Sequence, residues 1–243
     1  MKITFSSIIY SFAIIVTALI LGNAVVNRND VDGVIAVTGL GEKNFSSDLI
    51  VWEGSFTRTD YDMKLASTML SKDKAMINDY LTKNGISAEE IVFSAIDMTR
   101  LSQQRYTPEG KFLGNEFSGY SMTQSLQISS KDIDKVEDIS RNITELLLDG
   151  IQFNSNSPRY YYSKLSDLKI ELVSAATKDA RERAEKIAEE AGSKIRDLQS
   201  AQMGIIQITG LNSNEDYSWG GTYNTSSKEK TASITMKLTY QIK

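Results

Sequence analysis

The sequence predicts an α+β fold: three helices packed on a largely antiparallel sheet, preceded by one apolar N-terminal helix. Two observations lead to this class. Segments with helical spacing of apolar residues and segments with strict alternation follow one another in the order β-β-α-β-β-α-β-α-β-β. Short turns join several neighbouring strands, which favours antiparallel pairing. The amino-acid composition shows no break within residues 28–243 that would indicate two domains. We therefore predict a single domain there, after a separate segment at residues 1–27, a signal anchor or signal peptide.

The first two strands lie within residues 33–60 and predict a β-hairpin, with Ile50, Trp52 and Phe56 on one face of the second strand. Gly39 and Gly41 lie within the first strand. They lack the third glycine and the strand-to-helix context of a dinucleotide site. We therefore expect them to ease a strand bend or a close packing contact.

Helical spacing over residues 62–83 predicts the first helix of the domain, and Gly85 lies just beyond it as a stop signal. Two long strands follow at residues 91–105 and 116–129, around a turn at residues 107–111. The remaining elements are a helix at 131–148, a strand at 151–162, a helix at 166–191, a strand at 194–208, a polar loop at 212–230 and a final alternating strand at 232–242. The clean alternation of that last strand predicts one buried and one solvated face.

The third helix of the domain carries a narrow apolar stripe and balanced charges. The stripe consists of Leu168, Leu172, Ala176, Ala180, Ala184, Ile187 and Ala191. Alanine lets a helix approach its support closely and is the strongest helix former. The other faces carry opposite charges four residues apart. The pattern favours a solvated helix seated on a sheet over a partner-binding or catalytic helix.

Composition excludes several classes of function. The net charge is −4 and no run of Lys or Arg occurs, which argues against a nucleic-acid partner. The chain has no cysteine and no histidine, so it cannot form disulfides, thiolate nucleophiles, Cys-based zinc sites or Ser-His-Asp triads. We predict a protein that is not an enzyme and that uses no cofactor and no metal.

The N-terminal residues 8–26 carry no charge and as a helix would be about 28 Å long, close to the thickness of a bilayer core. They predict either an uncleaved single-pass membrane anchor or a signal peptide cleaved after Ala24. The run is longer than the apolar part of a typical signal peptide, which favours the anchor. Both alternatives export the rest of the chain.

Five aromatic residues are candidates for an interface. Tyr217, Trp219 and Tyr223 lie in the polar loop, and Tyr160 and Tyr162 lie on a predicted strand. Trp and Tyr are enriched at interface hot spots. The competing interpretation folds the loop aromatics back onto the sheet and divides the strand tyrosines between core and surface.

Two segments match the Ser-x-x-Lys spacing of some nucleophilic sites, Ser71 with Lys74 and Ser227 with Lys230. The pattern is short and neither match has a recognisable partner motif. We expect no catalysis from either.

Several segments resemble the SIMPL domain family. They are "VIAVTGLGEKNFSSDLIVW", "RYYYSKL", "AATKDARERAEKIAEEAGSKI" and "QSAQMGIIQI", and the resemblance covers about residues 33–243. The membrane-anchored bacterial branch looks closest, because the apolar segment runs straight into the first strand. The resemblance implies an envelope-facing α+β domain, often oligomeric, with some members linked to envelope or oxidative stress. It implies no catalytic residues.

We therefore expect a non-enzymatic protein anchored in the bacterial inner membrane through residues 8–26. Its domain would lie in the periplasm and form a homo-oligomer or bind a protein partner; with cleavage at Ala24 it would be soluble there. One alternative is a carboxylate-based hydrolase of envelope glycans, which needs two acidic groups about 5–9.5 Å apart in one cleft. Another is a lipid or small-ligand carrier, which needs a large apolar cavity.

Overall fold

The structure, a computed structural model, describes residues 5–28 and 33–243, and the side chains of residues 9–25 and 33–243. The helices are α1 (Phe5–Arg28), α2 (Met63–Lys83), α3 (Ile133–Asn142) and α4 (Leu165–Glu190), with 3-10 turns at Ala88–Glu90 and Ile143–Leu147. The strands are β1 (Val34–Ser46), β2 (Leu49–Asp60), β3 (Ile91–Phe93), β4 (Asp97–Tyr106), β5 (Phe112–Ser130), β6 (Phe153–Ser155), β7 (Arg159–Tyr161), β8 (Ile195–Met203), β9 (Gln207–Gly210) and β10 (Glu229–Ile242). The α+β class and the antiparallel pairing are confirmed.

The chain divides into two compact units. The first unit contains the chain up to Gly41, Val173–Gly204 and Ile234–Lys243, and the second contains Glu42–Leu172 and Ile205–Ser233. One sheet has the order β1-β10-β8, with β9 also paired to β10. The other has the order β3-β5-β2-β6, with β4 also paired to β5 and β7 to β2.

The predicted N-terminal helix is present as α1, and its large apolar side chains between Ile9 and Val25 are exposed. Among the residues that the structure describes, no helix is long and apolar enough to cross a membrane. Lys2 and residues 29–32, which flank the predicted segment, lie outside the described residues.

The predicted hairpin over residues 33–60 is wrong, because β1 pairs with β10 while β2 pairs with β5. The two residues between the strands direct them apart. The Ser47 amide donates to the carbonyl of Lys228 at 2.9 Å, and the Asp48 amide donates to the carbonyl of Tyr161 at 3.0 Å. The link also lacks the glycine that two-residue hairpin turns favour.

In the first unit, Gly39 confirms the expectation of close packing. A Cβ atom there would lie 2.2 Å from the carbonyl oxygen of Ala176 and 2.4 Å from the amide nitrogen of Ala180. The backbone of α4 therefore lies directly against β1. The Asp179 carboxylate accepts a hydrogen bond from the Leu40 amide at 2.8 Å, which fixes the helix on the strand.

The apolar stripe of α4 differs from the predicted one at its C-terminal end. Its buried members are Leu168, Leu172, Ala176, Ala180, Ala184 and Ala188. Ile187 and Ala191 are exposed instead. Each step is four residues, so the buried side chains follow a single ridge inclined to the helix axis. Ile187 follows Ala184 by only three residues, so it lies off that ridge.

In the second unit, α2 and α3 cover one face of the six-stranded sheet. Ile50, Trp52 and Phe56 are buried on that face of β2, as predicted. The even-numbered residues of β5 from Met122 to Ser130 are buried as well, while Ser125, Gln127 and Ser129 are exposed. The exposed face of this part of β5 is therefore polar.

One charged residue interrupts the buried face of α2. The Asp73 side chain is almost completely buried and accepts two hydrogen bonds from Arg58, at 2.5 and 2.9 Å. The guanidinium also donates to the carbonyl of Gly150 at 2.9 Å. This pair was not predicted, although Asp73 continues the spacing of Leu70 and Ile77 along the buried face.

Three predicted strands are each broken into two shorter ones. The breaks fall at residues 94–96, 156–158 and 204–206. Pro158 has no amide to continue a ladder. Gly204 lies so close to β10 that a Cβ atom would be 2.4 Å from Thr235 Oγ1. The local residues therefore explain two of the three interruptions.

Candidate functional site

The β9–β10 loop, residues 211–228, presents the most exposed aromatic side chain in the described chain. β9 and β10 pair antiparallel from Gln207 with Ser233 to Gly210 with Lys230, which fixes both ends of the loop. The polar loop was predicted at residues 212–230, and the structure ends it two residues earlier.

Gln207, at the start of β9, fixes the tip of the loop through its side chain. Its buried side-chain amide donates to the carbonyl of Ser218 at 2.9 Å. Its carbonyl oxygen accepts from the amides of Ser218 at 3.3 Å and Thr222 at 2.8 Å. The Ile208 backbone adds a bond from its amide to the Thr222 carbonyl at 2.8 Å. One buried side chain thus satisfies three backbone groups of the tip, as buried polar groups require.

Asn224 holds the second half of the loop. Its side-chain oxygen accepts from the Ser227 amide at 2.8 Å. Its side-chain nitrogen donates to Glu215 and, at 3.2 Å, to the hydroxyl of Ser226. The residue is buried and joins the rising and returning arms of the loop.

Lys230 completes the support from β10. Its side chain is fully buried, and its ammonium donates to the carbonyl and side-chain oxygens of Asn224 at 2.8 and 3.3 Å and to the carbonyl of Ser227. Burial lowers the pKa of Lys230 to about 8, and the negative charge of Glu215 opposes that shift. A buried amine is costly unless its donors are satisfied, and here loop oxygens satisfy them.

Trp219 lies at the tip of this supported loop and is 96% exposed. Tyr217 is 67% exposed, and its hydroxyl oxygen accepts a bond from Ser233 at 3.3 Å. Gly221 adopts a positive φ of 91°, which closes the turn after the tryptophan. The alternative in which Trp219 folds back onto the sheet does not fit this exposure.

Tyr223 is partly exposed at the base of the loop, where its ring lies 6.4 Å from that of Tyr161. Burial is the main cause that raises the pKa of the Tyr223 hydroxyl. Tyr223 also forms a bridge with Ile208 and so belongs to the scaffold of the loop as well as to its surface.

The two strand tyrosines are placed differently. Tyr160 packs against the core of the second unit, and its hydroxyl donates to Glu137 at 2.8 Å. Burial, together with that bond to the Glu137 carboxylate, raises the pKa of Tyr160 to about 12. The Tyr162 ring lies 4.8 Å from that of Phe45. Both tyrosines make internal contacts, and an interface role for them stays a prediction.

Neither Ser-x-x-Lys match has an amine bonded to its serine hydroxyl. Lys230 reaches the backbone carbonyl of Ser227. The Ser71 hydroxyl donates to the carbonyl of Ser67 at 2.9 Å, and Lys74 lies 4.8 Å from the centre of the Phe93 ring. Over the side chains that the structure describes, no group of three or more Asp and Glu residues is arranged to hold a metal ion.

A cleft of about 580 Å³ in the first unit has two acidic residues, Glu185 and Glu189, and the basic Lys194 among its lining residues. Each acidic residue is bonded to a basic neighbour on α4, at 2.8 Å to Arg181 and Lys186 respectively. Both carboxylates are therefore engaged in exposed ion pairs along the helix.

The family model described as SIMPL, protein of unknown function (DUF541), matches residues 35–242. The chain belongs to the SIMPL family. The match extends through both compact units and confirms the resemblance seen in the sequence. No curated protein matches the chain. Membership in the membrane-anchored branch stays a prediction.

Proposed function

We propose that this SIMPL protein is a non-enzymatic component of the bacterial envelope that oligomerises and binds a protein partner through the β9–β10 loop. The observation that carries the proposal is the exposure of Trp219 on a loop whose backbone is fixed by three buried polar side chains. Those side chains are Gln207, Asn224 and Lys230.

The physical argument concerns the cost of binding. A flexible loop loses conformational freedom when it binds, and this loss weakens association. Here the hydrogen bonds from Gln207, Asn224 and Lys230 order the loop before any partner arrives. Tryptophan supplies a large contact area from a side chain with only two rotatable bonds. A pre-ordered, exposed tryptophan is therefore suited to be a binding anchor.

The proposed location depends on the N-terminal segment. Residues 8–26 carry no charge, and the absence of cysteine and histidine fits a protein that works through contacts rather than through chemistry. We infer from that uncharged run, not from the described part of α1, that residues 8–26 anchor the chain in the inner membrane with the domain in the periplasm. The proposed role is tolerance of envelope or oxidative stress. A single cysteine introduced at the exposed Asn214 should react with a membrane-impermeant maleimide in cells with a permeabilised outer membrane. Labelling only after lysis would contradict the location.

Partner binding can be tested by affinity capture with the full chain from detergent-solubilised envelopes. Trp219→Ala should lose a partner that the unchanged chain retains. The matched control is Leu148→Ala, because Leu148 is also a large apolar side chain of the second unit and is 91% exposed. Equal retention by all three proteins would contradict the proposal.

A further inference from the structure

β4, Asp97–Tyr106, forms an uncovered edge of the six-stranded sheet. It pairs with β5 from Asp97 opposite Thr123 to Tyr106 opposite Phe112. Within the described part of the chain, no strand pairs with its other edge. All its side chains except the half-buried Leu101 are exposed. A strand of ten residues with a free edge is a template for pairing with another strand.

β4 lacks two of the devices that block edge pairing, because its sequence, DMTRLSQQRY, contains neither lysine nor proline. Its charged residues, Asp97, Arg100 and Arg105, include both signs and can therefore pair with a second copy. The hairpin has two register irregularities, but the extra residues, Leu113 and Ser118, both lie on β5. β4 itself is therefore a regular strand, with its side chains alternating between the two faces.

The outer half of the hairpin lacks a third strand. β2 pairs with β5 only as far as Asp60 opposite Tyr120, so beyond Gly119 the β4–β5 ribbon is two-stranded. Tyr106 and Phe112 are exposed there, with their rings 5.6 Å apart. A two-stranded ribbon with exposed apolar side chains is marginally stable in water, and an additional strand would support it.

Symmetry restricts how two β4 strands can pair. An antiparallel pair in one continuous sheet has its two-fold axis perpendicular to the sheet, so opposite residues must point to the same face. In a regular strand they are therefore both odd-numbered or both even-numbered. Asp97 can then lie opposite Arg105 of a second copy, but not opposite Arg100.

That register sets complementary residues opposite each other at its centre and at both ends. It places Leu101 on the two-fold axis, opposite Leu101 of the second copy. It forms the Asp97–Arg105 ion pair twice, and it sets the exposed Ile96 opposite Tyr106. Opposite charges directly across a strand pair are stabilising and like charges are destabilising. Arg105 already contacts Glu116 at 3.3 Å, so each intermolecular pair would join a small exposed network.

We propose that the SIMPL protein pairs with a second copy of itself through β4, in the antiparallel register that centres on Leu101. The inference deepens the oligomeric half of the proposed function and rests on it. The six-stranded sheets of two copies become one continuous sheet. The interface is separate from the β9–β10 loop, which stays available to a different partner.

The absence of cysteine from the chain allows a direct test in the full-length protein in mild detergent. Leu101→Cys places two thiols opposite each other across the axis, within the Cα separation of a disulfide. Gln104→Cys is the matched control, because its two copies would be six residues out of register, about 20 Å apart. Oxidation should give at least fivefold more disulfide-linked dimer from Leu101→Cys. Equal yields overturn the proposal.

Charge variants in the Leu101→Cys background test the register. Asp97→Arg sets two arginines opposite each other in a homodimer, and Arg105→Asp sets two aspartates opposite each other. Each variant alone should give roughly tenfold less linked dimer than the parent. A mixture of the two should recover the yield as a heterodimer, because both cross-strand pairs are then of opposite charge. Yields that ignore these charges overturn the proposed register and interface.

Light scattering on the unchanged chain separates the two proposals. A strict monomer at tens of micromolar overturns both the β4 interface and the oligomeric half of the proposed function. An oligomer whose cysteine variants crosslink alike overturns only the β4 interface. The affinity capture that tests the Trp219-dependent partner does not depend on the result of either oligomer experiment.

Discussion

Replacing the buried Lys230 tests whether its amine is held at an energetic cost in the folded protein. The Lys230→Met variant keeps much of the side-chain length but removes the ammonium that donates to Asn224 and Ser227. The variant should therefore lose the contribution that the titration of Lys230 makes to the pH dependence of the unfolding free energy. The Lys230 side chain is completely buried, so solvent does not screen this contribution.

The sign follows from the direction of the shift. The pKa of Lys230 falls from its ordinary 10.5 to about 8 on folding, mainly through burial. Between pH 8 and 10.5 the unfolded chain binds more protons at this site than the folded protein, so stability rises with pH in that window. Each pH unit is worth about 1.4 kcal/mol, which gives about 3 kcal/mol across the window. Below pH 8 the penalty is fully present, and above 10.5 it is absent.

The assay is urea denaturation of wild type and Lys230→Met from pH 7.5 to 10.5. The unfolding free energy of wild type, relative to the variant, should rise by about 3 kcal/mol over this range. The raised pKa of Tyr160 removes stability as pH rises above 10, but it acts equally in both proteins and cancels in the difference. Lys237→Met, an exposed lysine on the same strand, serves as the control and should track wild type. A difference that stays flat or falls with pH would refute the reasoning.

Three further substitutions test contacts that hold the fold. Gly39→Ala drives a Cβ atom against the backbone of α4 and should cost at least about 2 kcal/mol in thermal unfolding. At the control, Gly220→Ala, the nearest atom would be Ser218 Oγ at 4.0 Å, an ordinary contact, so Tm should stay nearly unchanged. Arg58→Met leaves the Asp73 carboxylate buried and unpaired and should cost about 3–5 kcal/mol in urea, most of it recovered when Asp73→Leu is added. The pKa of Asp179 is lowered by its backbone hydrogen bond, so wild type should lose stability relative to Asp179→Asn as pH falls below 3.8. An acid transition unchanged by that variant would contradict the role given to this carboxylate.

Local patterns predicted the elements of this fold but not all of their partners. The spacing within α2 and the alternation within β10 are properties of a few adjacent residues, and both elements appear where expected. Which strand β1 pairs with depends on residues almost two hundred positions away. The sequence of residues 33–60 predicted a hairpin of neighbouring strands, and only the three-dimensional structure shows the two strands in different sheets.

The support of the candidate site was partly visible in the sequence. Lys230 is two residues before Ala232 and shares its parity, so extending the alternation of β10 by one step would have placed the lysine on the buried face. Because polar residues surround Lys230 in the sequence, we assigned it to the loop instead. Gln207 had no such signal, because its role arises from hydrogen bonds to backbone groups of Ser218 and Thr222, on the far side of the loop. Asn224 acts within its own loop, on the amide of Ser227, and its place in a polar segment gave no indication of burial. Residue type and loop composition made Trp219 an interface candidate, but they left open whether its ring would fold back onto the sheet.

The central claim is that the exposed Trp219 contacts a partner in the cell. Site-specific photocrosslinking measures this most directly, with a photoreactive amino acid placed at position 219 of the full chain in living cells. The matched position is 148, which is also highly exposed in the second unit. We predict a discrete crosslinked product at 219 that is absent at 148 and is weakened by Gln207→Leu, which frees the loop tip. No product at 219, or the same product at both positions, would contradict the account.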